Sequence, residues 1–203
     1  DSVRLFILSD SPPEKDVQWS DEGIVASHKF IKKLWVLNTK ILTEIKKDHL
    51  ENKGTELTNF TNKFIKKITN NLENFHYNVI VANLHEMHSF LIKEMENKYQ
   101  KKIILENYKK ILITIMPILP HFSNECFDSI AKDDKIIWPT YDEKLIKDEK
   151  NIIVIQINGK KRGLINVKKN LNEDELINLI NKDKNLLKYL LDKKFKKKIY
   201  IKN

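Results

Sequence analysis

From Ser20 onward the apolar positions recur at three- and four-residue steps. Ile24, His28, Ile31, Leu34, Trp35, Asn38, Ile41, Leu42 and Ile45 make the first such series, and that period belongs to an amphipathic helix, not a strand. Ser20 stands before it as an N-cap, with Asp21 and Glu22 in the first turn, where the helix dipole favours anions. The series predicts one long helix ending before Gly54. Leu57, Phe60, Phe64, Ile65 and Ile68 predict a second over 55–72. Ile80, Leu84, Met87, Leu91 and Met95 predict a third over 78–97. Ile104, Leu105, Tyr108, Ile111, Leu112 and Ile115 predict a fourth over 101–116, and a short fifth runs from His121 to Ala131. Each helix has one apolar stripe to bury, and only the other helices can cover it. An antiparallel helical bundle over 19–138 is the expected result. Ahead of it, residues 1–8 read as the end of a helix or strand. Ser11-Pro12-Pro13 stops that element, and turn-rich sequence follows to Trp19.

The period changes after Trp138-Pro139. Residues 152–157 are a β-rich run, Asn158-Gly159 is a hairpin turn signal, and 163–167 is the return strand. Asn172 reads as a helix cap with Glu175 as its capping-box partner, and Leu176, Ile180, Leu187 and Leu190 or Leu191 supply an apolar stripe. Phe195 to Ile201 alternates as a third strand. The whole chain is therefore expected to be mainly α, a helical bundle followed by a small α+β domain of order β-β-α-β. A plain two-residue turn would set Lys160 and Arg162 on the apolar face, opposite Ile157 and Ile155. Burying two unpaired cations is costly, so a bulge at Gly159 is expected, placing Gln156, Lys160 and Arg162 together on the solvent face.

Charge divides the chain along the same boundary. Residues 1–142 hold 20 cations and 20 anions, whereas residues 143–203 hold 17 cations against 8 anions, which is the whole formal surplus of +9. A neutral scaffold followed by a basic module reads as a polyanion binder, with nucleic acid the favoured polyanion. A solvated lysine surface is the plainer alternative. Only Arg4 and Arg162 are arginine, and in a lysine-dominated chain an arginine suggests a place where a planar fork meets a carboxylate or phosphate.

Other chemistry is thin. The single cysteine, Cys126, excludes an intrachain disulfide and a multi-cysteine zinc site, and fits a reducing compartment. Its neighbours Phe122, Phe127 and Ile130 mark it as a core thiol. His85-Glu86-Met87-His88 is one residue short of the zinc-protease spacing and reads as a pair of partly buried bundle histidines. His121 reads as a helix-start residue. No glycine loop could cradle phosphates, and no metal site or catalytic group emerges. The longest apolar run, residues 111–122, is broken by Pro117 and Pro120, so no membrane span is expected. The chain opens on Asp1 without an initiator Met or signal peptide, which suggests a fragment.

Several stretches together are similar to bacterial-type leucyl-tRNA synthetases. Asp1-Ser-Val-Arg4-Leu-Phe6, with Ser11-Pro12-Pro13-Glu14 through Trp19-Ser20-Asp21 and Gly23, resembles the exit from that family's catalytic core. Asn78-Val-Ile-Val-Ala82-Asn-Leu84 and Ile118-Leu-Pro120-His121-Phe with Glu125 resemble its helical anticodon-binding bundle. Trp138-Pro139-Thr-Tyr141-Asp142 resembles the connector that follows. The most specific match is Val154-Ile-Gln156-Ile-Asn158-Gly159-Lys160-Lys-Arg162-Gly163, the family's hairpin, with Lys196-Lys197-Lys198-Ile199-Tyr200-Ile201 as the later basic strand. Isoleucyl-, valyl- and methionyl-tRNA synthetases have similar bundles, and the hairpin module is what points to the leucyl enzyme. The family's two catalytic signatures and its editing domain are not in this sequence. Family members run a few residues past a segment like Ile201-Lys-Asn203, which implies a further strand.

The resemblance implies four parts: 1–18 as the exit from the catalytic core, 19–138 as the bundle, 139–150 as a connector, and 151–203 as a small basic tRNA-binding domain. Residues 12–19 are assigned to packing between core and bundle. It implies a parent that uses ATP and Mg to attach leucine to its tRNA, and a fragment that positions tRNA without cofactor or catalysis of its own. Lys160, Lys161 and Arg162, with Lys168, Lys169, Lys196, Lys197 and Lys198, are the expected tRNA contacts, and Asn158 and Gly159 shape the hairpin tip. The alternative for residues 193–198 is a charged edge strand that resists aggregation. Expected partners are a leucine-accepting tRNA and the catalytic core of the same polypeptide, in a cytoplasmic monomer that touches no membrane. A free-standing basic RNA-binding protein is the rival.

Overall fold

The computed structural model describes residues 1–10, 12–47, 54–146, 150–157, 159–168 and 173–182. It divides into two compact units, Asp1–Ile146 and Lys147–Asn203. The first holds α1 (Ser2–Asp10), α2 (Asp21–Ile45), α3 (Thr55–Glu73), α4 (Tyr77–Glu94), α5 (Lys101–Ile115), α6 (Pro120–Ala131) and the short α7 (Glu143–Ile146). The second holds strands β1 (Lys150–Ile157) and β2 (Lys160–Lys168), then α8 (Glu173–Lys182). The chain is thus mainly helical with a small α+β tail. The predicted third strand, residues 195–201, lies outside the described residues, as does the Asn172 cap.

The helical stripes meet as their periodicity requires. α2 packs against α1, α4 and α5, while α3 packs against α4 and α5. Leu34, Ile41, Ile65, Ile68, Ile80, Leu84, Ile111, Leu112 and Leu119 are all essentially removed from water, each contributing roughly 1.5–3 kcal/mol by burial. Ser20 caps α2 by accepting the Gly23 N–H at 3.1 Å. Pro120 opens α6, where its missing N–H has no helical partner to lose.

Two features of this unit were not readable from periodicity. Residues 2–10 form a complete helix, with Leu5 and Phe6 buried, and its start is clamped to residues 117–122, far along the chain. The Asp1 carboxylate accepts the backbone N–H of Phe122 at 2.7 Å and of His121 at 3.3 Å, so it caps α6 from outside. Arg4 turns its Nε onto the Pro117 carbonyl at 3.1 Å and its Nη2 onto the same oxygen at 2.5 Å. The arginine fork at this position holds backbone, not an anionic ligand.

The second feature is the stretch 138–146, which lies along α3. Trp138 Nε1 donates to Thr69 Oγ1 at 3.1 Å, and the Asp142 N–H donates to Asn62 Oδ1 at 2.7 Å. Lys66 pairs with Glu143 at 2.8 Å and sits over the Tyr141 ring. The hydrogen bond that Lys66 donates to the Glu143 carboxylate holds its ammonium above the ordinary lysine range.

Gly54 precedes α3 with φ +62°, a backbone region that L side chains avoid, and a Cβ there would run into the Cγ2 methyl of Ile103. Gly54→Ala is therefore expected to cost about 1–3 kcal/mol. Thermal unfolding followed by circular dichroism should show the midpoint falling by several degrees, and an unchanged midpoint would mean that this turn is not held as described.

Candidate nucleic-acid interface

Among the described residues of the second unit, Lys160, Lys161 and Arg162 stand on a hairpin. β1 and β2 pair antiparallel, from Lys150 opposite Lys168 at the open end to Ile157 opposite Lys160 at the turn. Gly159 supplies the tip with φ +74° and has open space where a Cβ would stand, as a two-residue turn requires. Along β1, Ile155 is buried and Ile153 and Ile157 are half-buried, whereas Val154 and Gln156 are exposed. Leu176 on α8 is buried too. The strand alternates as its sequence does.

The bulge is present, but one step beyond the expected place. The turn is a plain two-residue one, so Lys160 faces Ile157 and Lys161 faces Gln156. The slip comes next, with Ile155 opposite Gly163, which leaves Arg162 as the extra residue. It is Lys161, not Lys160, that shares the Gln156 side. Desolvation explains both halves of the correction. Lys160 sits at the tip, where solvent reaches either face, and needs no slip to stay wet. Arg162 in an unbroken ladder would have stood opposite the buried Ile155, and the bulge sets the side-chain-free Gly163 there instead. Lys160, Lys161 and Arg162 are all exposed as a result.

The other expected contacts separate. Lys168 lies on β2 at the far end of the ladder from the tip. Lys169, Lys196, Lys197, Lys198 and Asn158 lie outside the described residues. The hairpin therefore brings together three of the eight expected cations, and Gly159 shapes the turn between the strands. Lysine point charges and one arginine fork suit phosphate oxygens and an exposed base face better than they suit proton transfer or covalent chemistry.

The other groups that the sequence singled out sit in structural settings. Cys126 is fully buried, and that burial pushes its thiol up to about 12. Tyr108 beside it is pushed above the usual tyrosine range, also by burial, and donates to Asn38 Oδ1 at 2.9 Å. His85 and His88 flank Phe30, with ring centroids 3.8 and 5.9 Å away. Burial, and then the charge of Lys33, hold both imidazoles below the ordinary histidine value. His121 stands at the start of α6 with Nδ1 3.1 Å from Asp1. Tyr99 donates to the buried Glu94, which Asn97 also serves at 2.7 Å. Among the described residues no group of three or more His, Cys, Asp or Glu could hold a metal, and no helix is long and apolar enough to cross a membrane.

Comparison with known proteins covers the whole chain. The family described as the anticodon-binding domain of tRNA ligase matches residues 55–177, which take in α3 through the hairpin and the start of α8. The leucine–tRNA ligase of Petrotoga mobilis is 34% identical over 99% of this chain and 26% of its own length. That of Fervidobacterium nodosum is 35% identical over 100% of this chain and 26% of its own. The chain thus spans about a quarter of the length of the curated relatives it matches. Among solved structures, a LeuRS of Agrobacterium radiobacter K84 in a ternary complex with tRNA and LeuAMS aligns with a TM-score of 0.73. It covers 98% of this chain and 27% of that one, at 22% identity, a likeness of fold.

A thiol pushed up to about 12 leaves on the order of one molecule in ten thousand ionised at pH 8. Ellman's reagent should leave Cys126 untouched in the folded protein and titrate one thiol after denaturation. Rapid labelling of the native protein would show that the α5–α6 interior is open.

Proposed function

We propose that this chain, which belongs to the family of tRNA-ligase anticodon-binding domains, is the tRNA-holding C-terminal part of a leucine–tRNA ligase. The bundle is its neutral body and the basic second unit is its grip on the nucleic acid. The parent enzyme joins leucine to its tRNA with ATP and Mg in a catalytic core elsewhere in the polypeptide, works in the cytoplasm as a monomer, and takes from this part position without chemistry.

The observation that carries the reading is the hairpin tip. Three consecutive cations, Lys160, Lys161 and Arg162, stand exposed at one end of a two-stranded ladder, in the one third of the chain that holds the whole positive surplus. A folded RNA offers phosphates and 2′-hydroxyls at its corners, and contacts of this kind read shape and backbone more than base sequence. Lys168 and the lysines at 169 and 196–198 extend the same basic module in sequence, and we assign them to the same partner.

The expected signature is electrostatic. Affinity for a leucine-acceptor tRNA transcript should fall steeply with salt, at about 0.7–0.9 log units of affinity per log unit of salt for each phosphate contact. Lys160→Glu with Arg162→Glu should weaken binding by roughly tenfold or more and flatten that slope by one to two contacts. Circular dichroism should be unchanged. Equal affinity of wild type and double variant across the salt series would remove the hairpin from the interface.

A further inference from the structure

Along one edge of the first unit, apolar side chains stand in the open next to buried ones. Glu106, Lys109, Lys110 and Ile113 follow at the three- and four-residue steps that put them on one face of α5. Residues 134–140 run beside that face, and between the two lies a groove of about 420 Å³. Its floor is Ile113, Phe127 and Pro139, all buried. Its outer wall is Ile137, 68% exposed, with Trp138 beside it. The wall is held in place, because Lys109 pairs with Asp134 and Trp138 donates to Thr69 on α3. Apolar surface kept open on a fixed frame costs hydration free energy, and contiguous ground of this kind marks a contact surface.

Charge decides what the groove admits. Among the ionic side chains around it, Lys109 and Asp134 neutralise each other, and Glu106 lies 3.9 Å from Lys102. Lys110 and Lys135 remain, both exposed. Among the described residues, no carboxylate forms an ion pair with either. From this complementarity we propose that the groove docks a segment of a partner protein, a short extended peptide with a large apolar side chain flanked by carboxylates. Glu106 to Ile113 spans about 10 Å of helix axis, the length of about three extended residues, so one anchor and its two neighbours fill it. The anchor covers Ile113, Phe127 and Ile137, and the flanking carboxylates meet Lys110 and Lys135. An RNA backbone would satisfy the two lysines, but it would lay hydrated phosphates over an apolar floor. The inference stands apart from the proposed tRNA function and adds a second partner to it.

The test titrates the intact protein into a fluorescein-labelled peptide of sequence Glu-Glu-Trp-Leu-Glu-Glu and follows anisotropy. Saturable binding that weakens with salt is expected, and the counterpart with lysine in place of glutamate should not bind. Ile137→Ser should weaken binding about tenfold and, at so exposed a position, leave circular dichroism unchanged. Lys110→Glu with Lys135→Glu should cost about tenfold as well and should gain affinity for the lysine peptide, a reversal that loss of folding cannot produce. Lys160→Glu with Arg162→Glu should bind the acidic peptide as wild type does, which separates the groove from the hairpin. No saturable binding, or equal affinity in wild type and Ile137→Ser, would overturn the proposal. It also falls if a leucine-acceptor tRNA transcript displaces the peptide and Ile137→Ser loses tRNA affinity, because the groove then belongs to RNA. A wild type that sediments as a dimer, with Ile137→Ser monomeric, would sink it too, because a second copy then covers the groove.

Discussion

A cation taken out of water without a partner costs several kcal/mol, and that constraint shapes this molecule more than any single attraction. The protein carries 37 lysines and arginines, and the described residues show more than one way of keeping them wet or paired. In the bundle, lysines sit outside the apolar stripes. In the hairpin, an extra residue breaks the ladder at the point where a charged side chain would otherwise have stood opposite Ile155. The surfaces that result are by-products of folding as much as adaptations to a ligand. What makes them useful is that they are gathered on a few elements.

Periodicity carried the bundle because each helix repeats its apolar residues often enough to declare a face. The third, fourth and fifth predicted helices correspond to α4, α5 and α6 to within a few residues at their ends. Long-range clamps leave no such mark. Nothing near Asp1 announces that it caps a helix 120 residues away, and Asn62 gives no local sign that it holds the Asp142 amide. The hairpin shows a subtler limit. The energetic reason for a bulge was legible in Lys160 and Arg162, but its place depended on where solvent reaches the tip, and that is a property of three dimensions.

The likeness to leucine–tRNA ligases and the physical reading support each other from independent directions. The family match runs from the start of α3 to α8 and includes the hairpin, the same element that charge and exposure single out. Arg4 marks the contrast. It resembles a ligand-binding arginine in sequence and proves to be a structural strut on the Pro117 carbonyl. Arginine scarcity alone does not locate a site; Arg162 stands at a wet hairpin tip and Arg4 against a backbone oxygen.

Arg162 is the extra residue in the register of β2, the one by which the two arms differ in length. Remove it, and every other pairing from Lys150 to Ile157 stays as it is, while the added right-handed coil that a bulge imparts disappears. The tip would then point along a different line with its two lysines intact. Aim and charge thus meet in one residue: a one-codon deletion would re-aim this finger and take one of its three cations with it.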